Sequence, residues 1–293
     1  MLRRFLELIR FSHTIFALPF ALAAAVMAWS TVGFRWLDLI GILACMVTAR
    51  SFAMAFNRLA DRDLDALNPR TRNRHLPAGL LSIPAVTIFT VICAALFIAS
   101  TLLFTNRWPL NLSGPVLVLL GAYSLTKRFT SLAHFWLGVS LAFAPVAAWI
   151  AIRGLDNLLV PSLLGGGVLF WVAGFDILYA CQDADFDHRA GLYSIPARFG
   201  VPRALSIAAV SHAAAFAFFL ALGFVSPQLG WVFRGTVLAV GVLLIYEHRI
   251  VRPDDLTRVN QAFFTVNGII SVAILAAVLV ECLVISSALR PAL

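Results

Sequence analysis

Nine stretches of this 293-residue chain are apolar and long enough to cross a bilayer, at approximately 12–32, 38–58, 83–105, 110–126, 132–152, 159–182, 204–225, 231–248 and 262–288. About 20 helical residues span the hydrocarbon core, where a backbone can satisfy its amides only within helices or a closed barrel. Runs this long are far longer than barrel strands, so the chain is expected to be all-α. It reads as a polytopic membrane bundle of nine transmembrane helices around a central cavity, one domain over residues 1–293. Composition agrees: 61% of residues are hydrophobic and only 12% charged, against about half and a quarter in soluble domains. The first run is long enough to span and is read as a helix rather than a cleavable signal. Before it, MLRRFLELIRF reads as an interfacial amphipathic helix. Pro19 inside the first run predicts a kink.

A net charge of +8 could suggest a nucleic-acid partner, but the distribution excludes that reading. With nine crossings, the N-terminus and loops 2–3, 4–5, 6–7 and 8–9 share one side. Sixteen Lys and Arg residues fall there and five on the other side. The positive-inside rule puts the rich side in the cytoplasm. A multi-pass protein of the inner (plasma) membrane is expected, surrounded by membrane lipid, with no nucleic acid. Cys45, Cys93, Cys181 and Cys282 lie inside apolar runs without metal-ligand spacing and read as packing residues.

The charges that remain are concentrated. NRLADRDLDALNPRTRNRHLP, residues 57–77, holds three carboxylates and five arginines in 21 residues. Asn57, Asp61 and Asp65 recur every four residues, a ladder on one helix face with rungs about 6 Å apart. Two carboxylates at that spacing repel by roughly 3 kcal/mol at an effective dielectric of 20, which a bridging cation would relieve. Asp63 points away and reads as solvated. Arg50 lies two turns before Asn57, on the same face and about 10 Å deeper. An intramembrane arginine costs at least ~2.5–3.5 kcal/mol on insertion scales and marks a functional site.

Span 6 repeats the theme. In GFDILYACQDADFDHRAGLYSIP, Asp176, Tyr179, Asp183 and Asp187 share a face while Asp185 turns away. Asp65 precedes Pro77-Ala78 by 12 residues and Asp187 precedes Pro196-Ala197 by 9. Two acidic helix ends, each followed by a Pro-closed loop, read as a diverged repeat of four spans. Four crossings return the chain to the same side, so the clusters can face one another. Span 4 ends in YSLTKRFT, with Tyr123 and Lys127 one turn apart at that rim. His212 reads as a core histidine, Tyr246, Glu247, His248 and Asn267 as helix-capping or interhelical hydrogen-bonding groups that could also line the cavity, and Glu281 as solvated at the far interface. Facing carboxylates suit Mg²⁺, a hard cation that shares substrate phosphate oxygens. Lys127 and the arginines add positive charge for a departing phosphate. A diphosphate joined to an apolar isoprenyl chain meets both the charge and the surroundings.

These residues resemble the UbiA-type superfamily of intramembrane aromatic prenyltransferases. Asn57-x3-Asp61-x3-Asp65 stands for the first family motif and Asp183-x3-Asp187, with Tyr179 upstream, for the second. Tyr123-x3-Lys127 and Arg50 match as well. The resemblance covers nearly the whole chain. It implies magnesium-assisted ionisation of a polyprenyl diphosphate and capture of the allylic cation by an electron-rich aromatic ring. It implies that Asn57, Asp61, Asp65, Asp183 and Asp187 hold the Mg²⁺-diphosphate and that Lys127 binds phosphate. Tyr123 and Tyr179 would shield the cation with their ring faces. Arg50 is implied for diphosphate or for an aromatic carboxylate. The segments HTIFALPFAL and AMAFNRLADRDLDALNPRTRNRHLPAG are similar to 4-hydroxybenzoate polyprenyltransferases of quinone biosynthesis. His75 stands where many ubiquinone-pathway members carry proline, which leaves a hydroxynaphthoate acceptor of menaquinone synthesis beside 4-hydroxybenzoate.

Three other readings compete. Another lipid-quinone or tetrapyrrole acceptor would use the same site. A cation-coupled transporter would be expected to place its acids near mid-membrane on interrupted helices, whereas these sit at helix ends beside arginines. The D-G-x2-A-R pattern of CDP-alcohol phosphotransferases is absent.

Overall fold

The computed structural model describes residues 16–285 together with Phe5, Glu7 and Leu8. The interfacial helix expected at 1–11 lies largely outside the described residues. Twelve helices are labelled here: α1 Leu18–Val32, α2 Trp36–Ala60, α3 Arg62–Leu67, α4 Ile83–Ser100, α5 Trp108–Thr126, α6 Ala133–Arg153, α7 Leu159–Ala180, α8 Ala184–Arg189, α9 Ile195–Phe199, α10 Val201–Val225, α11 Trp231–Ile250 and α12 Asn267–Leu279. Among the described residues, eight helical segments are long and apolar enough to cross a membrane, and α1 is a shorter ninth. The protein is an integral membrane protein. Its lipid-facing side chains are large and apolar, with Val118 and Val210 both 71% exposed. Exposed side chains of this kind along helices long and apolar enough to cross a bilayer suit a hydrocarbon solvent.

The alanine-rich α1, like α7, departs from that outward-facing pattern. LPFALAAAVMAWSTV is buried from Pro19 to Trp29 apart from Leu22, and its small side chains let α6 and α12 lie against it. Pro19 does not kink this helix. It occupies the first turn, where a missing N–H removes no intrahelical bond.

Glycines bring α6 and α7 together. A Cβ on Gly138 would stand 2.3 Å from the Leu169 carbonyl oxygen, and one on Gly165 would stand 3.1 Å from that of Ala142. Close approach of this kind replaces hydrophobic driving force in a bilayer. Cys93, Cys181 and Cys282 are buried and free, as packing residues are.

Glu281 is not solvated. It is 4% exposed, and its Oε1 accepts the Val232 and Phe233 amides at 2.8 and 3.2 Å. A carboxylate there satisfies unbonded N–H groups at the start of α11. His212, His248, Glu247 and Asn267 form a buried interhelical network, with His212 Nδ1 3.0 Å from His248 Nε2 and Asn267 donating to Glu247 at 2.7 Å.

Candidate active site

Both acidic stretches fold the same way. Helix α2 ends at Asp61 (φ −96°, ψ 5°) and a six-residue helix follows; α7 and a short turn end at Asp183 (φ −104°, ψ 5°), again followed by six residues of helix. The break does not destroy the ladder. Asp61 N donates to Asn57 O at 2.9 Å and Asp65 N to Asp61 O at 2.7 Å. Asn57 Nδ2 also donates to Asp61 Oδ2 at 2.8 Å. Asp63 and Asp185 face solvent as expected.

After each short helix the chain turns at a glycine with φ +68°, Gly79 or Gly191. It then enters a helix whose N-cap serine, Ser82 or Ser194, accepts the amide of Ala85 or Ala197. The repeat therefore aligns GLLSIPA at 79–85 with GLYSIPA at 191–197, not Pro77 with Pro196. Fourteen residues lead from Asp65 to Gly79 but only four from Asp187 to Gly191. The first loop is thus the longer by ten residues, and these carry the basic cluster.

That loop supplies cations to both halves. Arg74 Nη1 donates to both oxygens of Asp65, at 2.7 and 2.9 Å. Arg70 reaches across to Asp183 with a two-pronged contact, its Nε donating to Oδ1 at 2.8 Å and its Nη2 to Oδ2. Asn68 donates to the same Asp183 at 3.3 Å. Arg128 pairs with Asp61 at 3.5 Å and Lys127 with Asp187 at 3.6 Å. From the sequence the arginines had a general role toward phosphate, but none was paired with a carboxylate, and Asn68 was not singled out.

All these groups line one charged cavity of about 180 Å³, with Asn57, Tyr123, Asp176 and Tyr179 in its walls. Five carboxylates (Asp61, Asp65, Asp176, Asp183, Asp187) face four cations (Arg70, Arg74, Lys127, Arg128). Burial raises the Asp61 carboxyl above its ordinary range and Asp65 adds to it, against Arg128 and Lys127. Burial alone would lower Lys127; Asp187, then Asp176, Asp183 and Asp61, outweigh it and hold the ammonium above its usual value. The Arg70 guanidinium stands 5.3 Å over the Tyr179 ring. That ring packs on Phe263 at 4.4 Å between centroids.

A second cavity, about 420 Å³ and mostly apolar, is lined by Met46, Phe97, Phe104, Leu119 and Leu141 among others. Asn57 and Tyr123 line both cavities. Arg50 lines the apolar cavity. Eight of the nine residues singled out from the sequence thus meet in the charged cavity, and Arg50 lies beyond it.

The matched family description, UbiA prenyltransferase family, covers residues 17–281. The chain belongs to the UbiA prenyltransferase family. It is a prenyltransferase. The 4-hydroxybenzoate octaprenyltransferase of Aromatoleum aromaticum is 31% identical over 252 residues, 84% of this chain and 83% of that one. The enzyme of the same name from Vibrio atlanticus is 31% identical over 76% and 77% of the two chains. Among solved structures, the apo UbiA homologue of Aeropyrum pernix superposes with a TM-score of 0.83 at 34% identity, over 92% of this chain and 98% of that one. The UbiA homologue of Archaeoglobus fulgidus bound to GPP and Mg²⁺ shares the fold, with a TM-score of 0.75 at 20% identity over 95% and 99%.

The charged cavity fits such a divalent ion in its donor set. Its carboxylates outnumber its cations by one, so a polyanion entering alone would meet a net negative wall. Asp187 Oδ2 is buried without a hydrogen-bond partner. Among the described residues, no three His, Cys, Asp or Glu side chains form a cage for a metal by themselves. Mg²⁺ commonly takes one or two carboxylates and completes its shell with water and substrate phosphate.

Proposed function

We propose that this UbiA-family protein transfers a polyprenyl group from polyprenyl diphosphate to a phenolic aromatic acid, 4-hydroxybenzoate or a hydroxynaphthoate, in quinone biosynthesis. One observation carries the reading: a charged cavity and an apolar cavity share Asn57 and Tyr123 as common walls. A ligand with a polyanionic head and a hydrocarbon tail is the chemistry that fills both. The sequence relatives named for 4-hydroxybenzoate support the acceptor class. The basic excess on the motif-bearing side supports a cytoplasmic site in the inner membrane.

Asn57, Asp61, Asp65, Asp183 and Asp187 would hold Mg²⁺ and, through it, the diphosphate. Bound there, the ion would neutralise charge developing on the leaving oxygen. Lys127 and Arg70 bind phosphate oxygens as point charge and fork respectively; Arg70 leaves Asp183 to do so. Tyr179 offers a ring face to positive charge, the face over which Arg70 stands. Tyr123, at the junction, is placed to do the same for the allylic carbon. Arg50, in the apolar cavity, orients the acceptor carboxylate.

The test uses purified protein in detergent with a labelled polyprenyl diphosphate and either 4-hydroxybenzoate or 1,4-dihydroxy-2-naphthoate. Prenylated product with one acid, lost on chelation and restored by Mg²⁺, is the expected result. Asp61→Ala and Asp183→Ala abolish turnover while inserting normally. Near-normal turnover in both variants would remove the metal assignment, and transfer to neither acid would remove the acceptor class.

A further inference from the structure

Asp176 differs from the other carboxylates of the charged cavity in its partner. Asp61, Asp65, Asp183 and Asp187 each meet an arginine or lysine. The ion-pair contact of Asp176 is with His134, whose Nδ1 stands 2.7 Å from Asp176 Oδ2. The histidine's other nitrogen, Nε2, faces the Ile195 amide at 3.3 Å. A main-chain N–H can only donate, so Nε2 must keep its lone pair. The ring hydrogen is therefore on Nδ1 and points at Asp176.

His134 is completely buried, whereas 17% of the Asp176 side chain remains open in the cavity wall. A neutral donor holds one face of this carboxylate without cancelling its charge. Asp176 also stands seven residues before Asp183 on the same helix face, about 10 Å deeper, and its charge helps to hold the Lys127 ammonium above its usual value. A carboxylate so placed is suited to accept a hydrogen bond from a neutral O–H.

Resting on the proposed phenolic acceptor, we infer that Asp176 takes the phenolic proton as the ring attacks, with His134 as its positioning residue. In this step a ring carbon ortho to the hydroxyl forms a bond to the prenyl C1, and the C1–O bond breaks with its electron pair leaving on diphosphate. Asp176 receives the O–H proton, and the ring becomes a neutral dienone. The dienone then loses its ring-carbon proton to the diphosphate, and Asp176 returns its proton to the oxygen. The carboxylate is regenerated, and the products are prenyl phenol and protonated diphosphate.

The test uses the full chain in detergent with Mg²⁺, geranyl diphosphate, and either 4-hydroxybenzoate or 3-chloro-4-hydroxybenzoate, whose phenol is more acidic and keeps one ortho position free. Prenylated acid and released diphosphate are measured separately, with kcat and KM for the acceptor. Asp176→Asn is expected to lower the ratio of transfer to release roughly 100-fold or more, the range of a lost general base. The loss falls on kcat, and the chlorinated acceptor restores at least tenfold of it. His134→Ala lowers the ratio about tenfold with the same preference for the acidic phenol, and carries the test if Asp176→Asn does not fold. A structural role would lower transfer and release together with no acceptor preference, and that result overturns the inference. Undiminished transfer by Asp176→Asn overturns it too, with the proposed function intact. Wild-type protein that releases diphosphate but prenylates neither acid overturns the proposed function and this inference with it.

Discussion

Gly138 holds α6 against the backbone of α7, and an alanine there tests whether the site depends on that approach. The added Cβ would stand 2.3 Å from the Leu169 carbonyl oxygen, whereas ordinary contact begins at 3.4 Å. The obstacle is main chain, so no rotamer can relieve it, and the two helices must part locally by about 1 Å. Overpacking of this kind costs roughly 1–3 kcal/mol. One turn away on α6, His134 is bonded to Asp176 at 2.7 Å. A further ångström takes that contact past about 3.2 Å, where a hydrogen bond of this type weakens sharply. Misplacement by 1 Å near the chemistry can lower rates on the order of 100-fold. Gly138→Ala is therefore expected to melt earlier in detergent and to lose prenyl transfer on that order, with donor binding less affected. Gly235, in α11, is the control: it is helical and a Cβ there meets nothing within 4 Å. Gly235→Ala should hold or gain up to about 1 kcal/mol from reduced chain entropy. Wild-type melting and turnover in Gly138→Ala would refute the reasoning, because the α6–α7 approach would then be yielding rather than tight.

Arg50→Ala is expected to raise the acceptor KM roughly tenfold or more by removing a charge-assisted contact in the apolar cavity; unchanged acceptor and donor kinetics would take Arg50 out of the site. Asp61 carries a pH prediction for the metal-free protein. Its carboxyl is held above the ordinary range in the fold by burial, then by Asp65. Its contribution is therefore most favourable below the ordinary carboxylate range and is lost as pH rises through the raised value. Asp61→Asn should consequently melt above metal-free wild type at neutral pH, with the advantage vanishing on acidification, and be inactive throughout; an advantage that grows in acid would contradict the burial argument. Glu281→Ala should lower stability by about 1–2 kcal/mol by exposing two amides at the start of α11, and a variant that melts as wild type does would show the cap to be idle.

The all-helical membrane fold was legible because each span is long, apolar and local. The four-residue spacing of Asn57, Asp61 and Asp65 survived a helix break because the i to i+4 hydrogen bonds continue through it. The repeat was also legible, yet its true marker is the heptapeptide pair GLLSIPA and GLYSIPA, which builds a φ-positive glycine turn and a serine cap in each half. Pro19 misled because a proline's effect depends on where the helix starts, and the first turn tolerates what the interior does not. Glu281 misled because its partners are amides about 49 positions earlier, at the start of another helix. No pattern around His134 announced its role; a single histidine at the start of an apolar run has no period.

From residue order alone came the all-helical fold, the membrane as solvent, and two acidic ladders that meet in one cavity. These follow from interactions within a few residues, where helix geometry converts spacing directly into position. Which cation meets which carboxylate was settled by packing, since Arg70 finds Asp183 113 residues away. Packing likewise set the charged and apolar cavities side by side at Asn57 and Tyr123, and gave Asp176 a histidine partner at 2.7 Å. Such pairings depend on how closely helices can approach, and that distance is set by glycines and carbonyl oxygens in contact across the bundle.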